Sequence, residues 1–194
     1  MNIETGLGHL VINEIDYDQL GVDTGEFVEI YNASASAVDL TNISLIFVNG
    51  SNNTEYRRVE LGAAGSLPSH GYLVVCAAAV VTDPGALRFT PPLATWPAQD
   101  AIQNGSPDGV LLFDNLSGMP IDSLSYEGSI TAATLTGIAG TVSLVEGTAL
   151  NVSIADSNTA NGSLCRLPNG GDTDDASVDW NFSSTPTPGA PNVP

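Results

Sequence analysis

The chain has 194 residues, with 22 acidic side chains against four arginines and no lysine, for a formal net charge of −18. Phosphate backbones are bound by clustered Lys and Arg, so this balance argues against nucleic acid as a direct partner, and an anionic membrane surface is disfavoured on the same ground. The length suits one well-cored domain, and an acid excess of this size is accounted for by solubility alone or by a surface that attracts cations.

Residues 1–9 read as an N-terminal extension. It lacks the basic and apolar stretches of a signal peptide, and the chain reads as a piece of a longer protein. From Leu10 onward helical periodicity is nearly absent. Short runs rich in β-branched and aromatic residues alternate with turn residues, the pattern of an all-β sandwich or barrel. In chain order the predicted strands are Leu10–Tyr17, Glu26–Tyr31, Ile43–Val48, Glu55–Leu61, Tyr72–Ala77, Val110–Asp114, Ile121–Glu127, Thr141–Val145 and Ser163–Leu167. The Val110–Glu127 segment reads as a hairpin about Asn115-Leu116-Ser117-Gly118. Residues 83–107 hold Pro84, Pro91, Pro92, Pro97 and Pro107, which predicts a long structured loop and no strand. Residues 128–162, rich in Thr, Ala, Ser and Asn, read as a mobile insertion with weak strands. Residues 183–194 (S-S-T-P-T-P-G-A-P-N-V-P) read as a proline-rich tail or linker. The longest apolar run, Tyr72 to Val81, falls short of the roughly 18 residues a membrane span needs.

Several separated segments, in order, resemble the lamin tail domain family. They are V-I-N-E-I, D-x-G-E-F-V-E-I-Y-N, V-D-L-T-N-I-S-L, G-S-L-P-S-H-G-Y-L-V-V, and the closing S-L-C-R-L-P-N-G-G-D-T-D-D-A-S-V-D-W with T-P-G-A-P-N. The likeness is to the bacterial, secreted or cell-surface branch, and it runs from about Leu10 to Asn192. It implies an immunoglobulin-like β-sandwich over residues 10–182, with the proline-rich loop and the long insertion. It also implies an accessory module, placed outside the cell or at its surface, whose partners are other domains of a parent polypeptide or a surface protein or glycan. No heptad rod or basic patch accompanies it, so a nuclear role does not carry over.

The first strand poses a parity problem. In Val11-Ile12-Asn13-Glu14-Ile15-Asp16-Tyr17, alternation sends Asn13 inward with Val11, Ile15 and Tyr17, or Glu14 inward with Ile12. A neutral amide is cheaper to bury than a carboxylate, so Asn13 is expected inside as a hydrogen-bonded tie to a neighbouring loop. Val28 and Ile30 are expected in the core. The carboxylates then crowd the outer face and the turn. Asp16, Asp18, Asp23 and Glu26 form one candidate calcium site, with a solvated acidic edge as the alternative. A second candidate is the loop Asp172, Asp174, Asp175 and Asp179, which lacks the Gly and Glu of an EF-hand; turn capping is the alternative. Cys76 and Cys165 are either separate buried thiols or one disulfide closing about 90 residues, worth roughly 4 kcal/mol. Zinc is short of ligands. Trp180 is expected in the core and Trp96 at the surface. Sequons stand at Asn32, Asn42, Asn52, Asn115, Asn151, Asn161 and Asn181. No nucleophile elbow, phosphate-binding loop or dinucleotide fingerprint is present, so no enzyme is expected.

Overall fold

A computed structural model describes residues 9–194. The extension expected over residues 1–9 therefore lies outside the described residues, apart from His9. Twelve strands and one short α-helix follow in order, with a 3-10 turn at Gly62–Ala64: β1 Leu10–Asp16, β2 Phe27–Asn32, β3 Val38–Asp39, β4 Ile43–Asn49, β5 Thr54–Glu60, β6 Ser66–Leu67, β7 Tyr72–Cys76, β8 Leu87–Phe89, β9 Asp108–Asp114, β10 Met119–Tyr126, β11 Ser163–Arg166, α1 Ala176–Asp179 and β12 Trp180–Ser183. One sheet runs β12-β11-β1-β2-β7-β8 and the other β10-β9-β4-β5, with β3-β6 as a minor pair. Every pairing is antiparallel except β7 with β8. This is the immunoglobulin-like sandwich that the resemblance implies.

The core between the sheets takes alternate residues from each strand. Val28 and Ile30 of β2, Leu73 and Val75 of β7, Leu45 and Phe47 of β4 and Val110 and Leu112 of β9 all lie in it. The β1 strand departs from simple alternation. Its register against β2 passes from Ile12↔Ile30 to Glu14↔Glu29, so Asn13 is the extra residue of a β-bulge. Leu10 and Ile12 before the bulge, and Ile15 and Tyr17 after it, all reach the core. Asn13 and Glu14 both turn to the opposite face. The expected choice between them does not arise, because a bulge resets the pleat.

Four further expectations are corrected. Residues 83–107 contain a strand after all, β8, which joins the sheet edge in parallel with β7. Residues 128–162 hold no strand at Thr141–Val145, only an isolated Ala133↔Val142 bridge. They nevertheless pack: Ile130, Ala133, Leu135 and Leu144 cover Ile46, Val48, Leu111 and Phe113 on the outer face of the second sheet. Trp96 is not a surface aromatic but is buried, edge-on to Phe47 at 5.8 Å. The proline-rich tail does not stand off as a spacer. It lies back over the outer face of the first sheet, with Gly189 and Asn192 buried.

Candidate functional site

The outer face of the first sheet and its margins hold the chain's densest polar chemistry. Glu14 and Glu29 are directly opposed across β1 and β2, and both are buried. Glu29 accepts from Asn13 Nδ2 at 2.7 Å and from the Gly189 N–H at 2.6 Å. Glu14 accepts from Ser163 Oγ at 2.6 Å, the Thr187 N–H at 2.9 Å and Thr187 Oγ1 at 3.1 Å. The tail is thus a strap whose backbone N–H groups point at two carboxylates. Burial pushes Glu29 up to about 8, against the pull of the Asn13 and Gly189 hydrogen bonds and with a further push from the Glu14 charge. Burial likewise raises Glu14.

Asn13 sits at the centre of this face. Its Oδ1 accepts from the Gly170 N–H at 2.8 Å, its Nδ2 donates also to Asn169 Oδ1 at 3.0 Å, and its carbonyl accepts from Asn192 Nδ2 at 2.9 Å. It fastens β1 to the 169–170 turn and to the strap. Gly189 has φ +93°, and a Cβ there would stand 2.7 Å from Ala86 Cβ, so only glycine fits beneath the strap without a shift.

The carboxylates of the first calcium candidate do not converge on a common point. Asp16 accepts from Gln19 Nε2 at 2.5 Å, and Asp23 from the Gln19 N–H at 2.9 Å. Glu26 accepts from the Ala101 and Ile102 N–H groups at 2.6 and 2.7 Å and so pins the proline-rich loop. Burial lifts it to about 7 against those two bonds. Asp18 is half-buried, and its Oδ1 has no partner among the described residues. Asp16, Asp23 and Glu26 are buried, so the solvated acidic edge is also corrected. Asp156, from the covering segment, accepts from the Tyr17 N–H at 3.1 Å and donates its own N–H to Tyr17 Oη at 2.9 Å. Burial raises both Asp16 and Asp156, and their mutual repulsion adds to the rise at Asp16.

The second candidate loop is organised by a guanidinium. Arg166 on β11 is fully buried. Its Nη2 stands 2.8 Å from Asp122 and 3.6 Å from Glu146, and its Nη1 stands 3.2 Å from Asp172 and 3.1 Å from Asp179. Nε donates to the Ile12 carbonyl at 2.9 Å, and the plane lies 5.1 Å from the Trp180 ring. Asp122 in turn accepts from the Ile12 N–H at 2.5 Å. Asp175 caps α1 by accepting from the Ser177 N–H, and Asp174 is exposed. Asp172, Asp174, Asp175 and Asp179 therefore do not form one ligand set: two face the arginine, one caps a helix and one faces solvent. The three-carboxylate group found among the described residues is Asp122, Glu146 and Asp172, with ligand atoms within 4.8 Å of one another. Arg166 contacts all three. Burial and the Asp122 charge raise Glu146, and its Oε2 has no hydrogen-bond partner among the described residues.

Cys76 and Cys165 are free, buried thiols. β2 and β1 lie between their strands, which puts them three strand spacings, roughly 14 Å, apart. A disulfide needs Cα atoms within about 7 Å. Burial pushes the Cys165 thiol up to about 12, with Glu14 and Glu29 adding to the rise.

Arg166, Asp122, Glu146 and Asp156 were missed from sequence. One signal was available for the first: an arginine inside the strand run S-L-C-R, in a chain with four cations, is costly to bury unless carboxylates meet it. Nothing local marks Asp122, Glu146 or Asp156, because their partners are 44, 20 and 139 residues away, at Arg166 and Tyr17.

A profile described as Lamin Tail Domain matches residues 4–128. No curated protein matches the chain. The matched span carries β1 to β10, and the segment beyond it returns β11 and β12 to the same sheet as β1. With more than half its length matched, the chain belongs to the lamin tail domain family.

Proposed function

We propose that this domain is a non-catalytic interaction module of a multidomain protein that works outside the cell or at its surface. It contacts protein or glycan surfaces, or sets the spacing of neighbouring domains. One observation carries this reading. The carboxylates, which are the chain's abundant candidates for acid–base chemistry, are spent on internal fastening. Glu14, Glu29, Glu26 and Asp156 each accept main-chain N–H groups from distant segments, while Asp122 and Asp179 face Arg166. General acid–base work needs a group free to meet a substrate. The family, an immunoglobulin-like domain without catalytic machinery of its own, agrees with that use. The isolated domain is expected to show no turnover of chromogenic ester, phosphate or glycoside substrates. Turnover abolished by one carboxylate substitution would overturn the proposal.

A calcium-dependent structural or adhesive role is the second reading, favoured by the Asp122, Glu146 and Asp172 group. Four carboxylates face one guanidinium there, so negative charge is in excess. Occupancy at 100 times Kd adds about 2.7 kcal/mol to stability. A melting temperature unchanged between millimolar calcium and chelator would remove this reading.

A further inference from the structure

We infer that Asn104 is a self-modification site, at which the Asn104-Gly105 step closes to a cyclic imide and water then opens it to aspartate and isoaspartate. The chain holds four Asn-Gly steps, at residues 49–50, 104–105, 161–162 and 169–170. A glycine has no side chain to shield its main-chain nitrogen, so that nitrogen reaches the Cγ of the preceding asparagine with little steric resistance. All four steps share this chemistry, and the fold treats them differently.

Three are held. Asn169 has its Oδ1 on Asn13 Nδ2 at 3.0 Å and the Asn192 N–H at 2.9 Å, and its Nδ2 donates to Tyr72 Oη at 3.0 Å. The Gly170 N–H is directed at Asn13 Oδ1 at 2.8 Å. Asn49 closes β4, where it pairs with both Thr54 and Asp108, and its Oδ1 accepts from the Ser51 N–H at 2.8 Å. Gly50 is wedged against Pro107, with a Cβ there only 2.3 Å from the Pro107 carbonyl oxygen. Asn161 is exposed, but Gly162 is buried against Phe182, where a Cβ would stand 2.2 Å from the ring, and it leads directly into β11.

Asn104 is free. It and Gly105 are exposed, and a Cβ on Gly105 would meet only Asp108 Oδ2, at 3.3 Å. The Asn104 amide has one partner among the described residues, Asp23 Oδ2 at 3.4 Å from Nδ2. Asp108 supplies the base. Its Oδ2 accepts from the Gly105 N–H at 3.0 Å, which is the proton that the nitrogen loses as it attacks. Burial lifts Asp108 to about 6, against the Gly50 and Gly105 hydrogen bonds and with a further push from Glu127. It is therefore ionised at neutral pH and a stronger base than an ordinary carboxylate.

The step balances without an oxidant or a metal. The Gly105 N–H proton passes to Asp108, and the nitrogen bonds to Asn104 Cγ. The Cγ–Nδ2 bond breaks, and Nδ2 leaves as ammonia with the proton that Asp108 returns. Water then adds at either imide carbonyl. Each event places one more carboxylate on the wall of a cavity of about 310 Å3 that Asp100 and Asp108 already line.

The test incubates the whole folded chain near neutral pH in water enriched in 18O, then maps its peptides by mass spectrometry. The same chain unfolded in urea is the reference, in which the four steps are expected to react at similar rates. In the folded chain Asn104 is expected to react ~10-fold or more faster than Asn49 and Asn169, which react only through local opening, and ahead of Asn161. It is also expected to outpace its own urea reference, because only the fold sets Asp108 on the Gly105 N–H. Asp108→Ser is expected to remove that advantage. Gly105→Ala, which leaves Asp108 in place and has room for its methyl group, is expected to slow the reaction with an unchanged melting temperature. Asn104 reacting no faster than Asn49, Asn161 or Asn169, or at an unchanged rate in Gly105→Ala, would overturn the site. A folded rate below the urea reference would overturn the role of Asp108, and that comparison needs no variant to fold.

Discussion

Glu29→Gln is the substitution that best separates a fastened carboxylate from a surface one. Glu29 is pushed from 4.5 to about 8 in the fold. A carboxyl raised in this way takes up its proton on folding between those two values. Its contribution to stability is fully present below about pH 4.5 and is lost as pH rises through about 8. At about 1.4 kcal/mol per pH unit, that interval sets a ceiling of about 5 kcal/mol. Gln has the shape of the protonated acid and does not titrate. It does set an NH2 group against one of two donors, Asn13 Nδ2 or the Gly189 N–H. At pH 5 the variant is therefore expected to be less stable than the parent by about 1–2 kcal/mol. Toward pH 8 the parent weakens while the variant does not, and Glu14, directly opposite, is relieved of a facing charge. The difference is expected to narrow and then reverse. Urea unfolding of both proteins from pH 5 to 8.5, with equal m values, measures it directly. Asp16, Glu26, Asp108, Glu146 and Asp156 are raised in both proteins and largely cancel in the comparison. A stability difference that stays constant with pH, or that grows against the variant as pH rises, would refute the reasoning.

Arg166→Met removes the cation from Asp122 and Asp179 and is expected to cost about 3–5 kcal/mol in urea unfolding, because it strands buried charge; a loss under 1 kcal/mol would show that the carboxylates reach water. Leu144→Ala empties a fully buried site on the outer face of the second sheet and is expected to cost about 2–5 kcal/mol, whereas a mobile insertion would lose nothing. Because both cysteines are free, reducing agent is expected to leave the melting temperature unchanged, and a drop on reduction would contradict the strand order.

The fold was largely legible because its signals are local. The runs that became β1, β2, β4, β5, β7, β9, β10 and β11 carry β-branched and aromatic residues between Gly, Pro and Asn turns, and the pleat shows itself over five or six residues. What could not be read depends on partners far along the chain. The bulge at Asn13 has no sequence marker, yet it decides that Ile12 and Ile15 can both face inward. Trp96 follows a run of prolines typical of an exposed loop, but Glu26, 75 residues before Ala101, holds the Ala101 and Ile102 N–H groups and draws that loop over the core. The tail looked like a spacer because proline resists strand and helix. It makes neither, and packs by aiming its Thr187 and Gly189 N–H groups between the prolines.

The acid surplus takes on a different meaning once these partners are known. A chain with four arginines and no lysine cannot neutralise buried carboxylates with side-chain cations, and among the described residues Arg166 is the fully buried arginine. Elsewhere the counter-ligands are main-chain N–H groups: Thr187 and Gly189 from the strap, Ala101 and Ile102 from the proline loop, and Tyr17, Gly50 and Gly105 at Asp156 and Asp108. An N–H group is a weaker counter-charge than an ammonium, and burial outweighs it at Glu29, Glu26 and Asp108, which rise to about 8, 7 and 6. The same carboxylates that fasten the loops therefore hold protons well above the usual carboxylate range. Reading each acid as a solvated charge predicts ordinary carboxylate titration, with stability nearly flat between about pH 8 and 5. Reading it as a fastener predicts a domain that tightens as the pH falls from about 8 toward 5, and the slope within that window distinguishes the two.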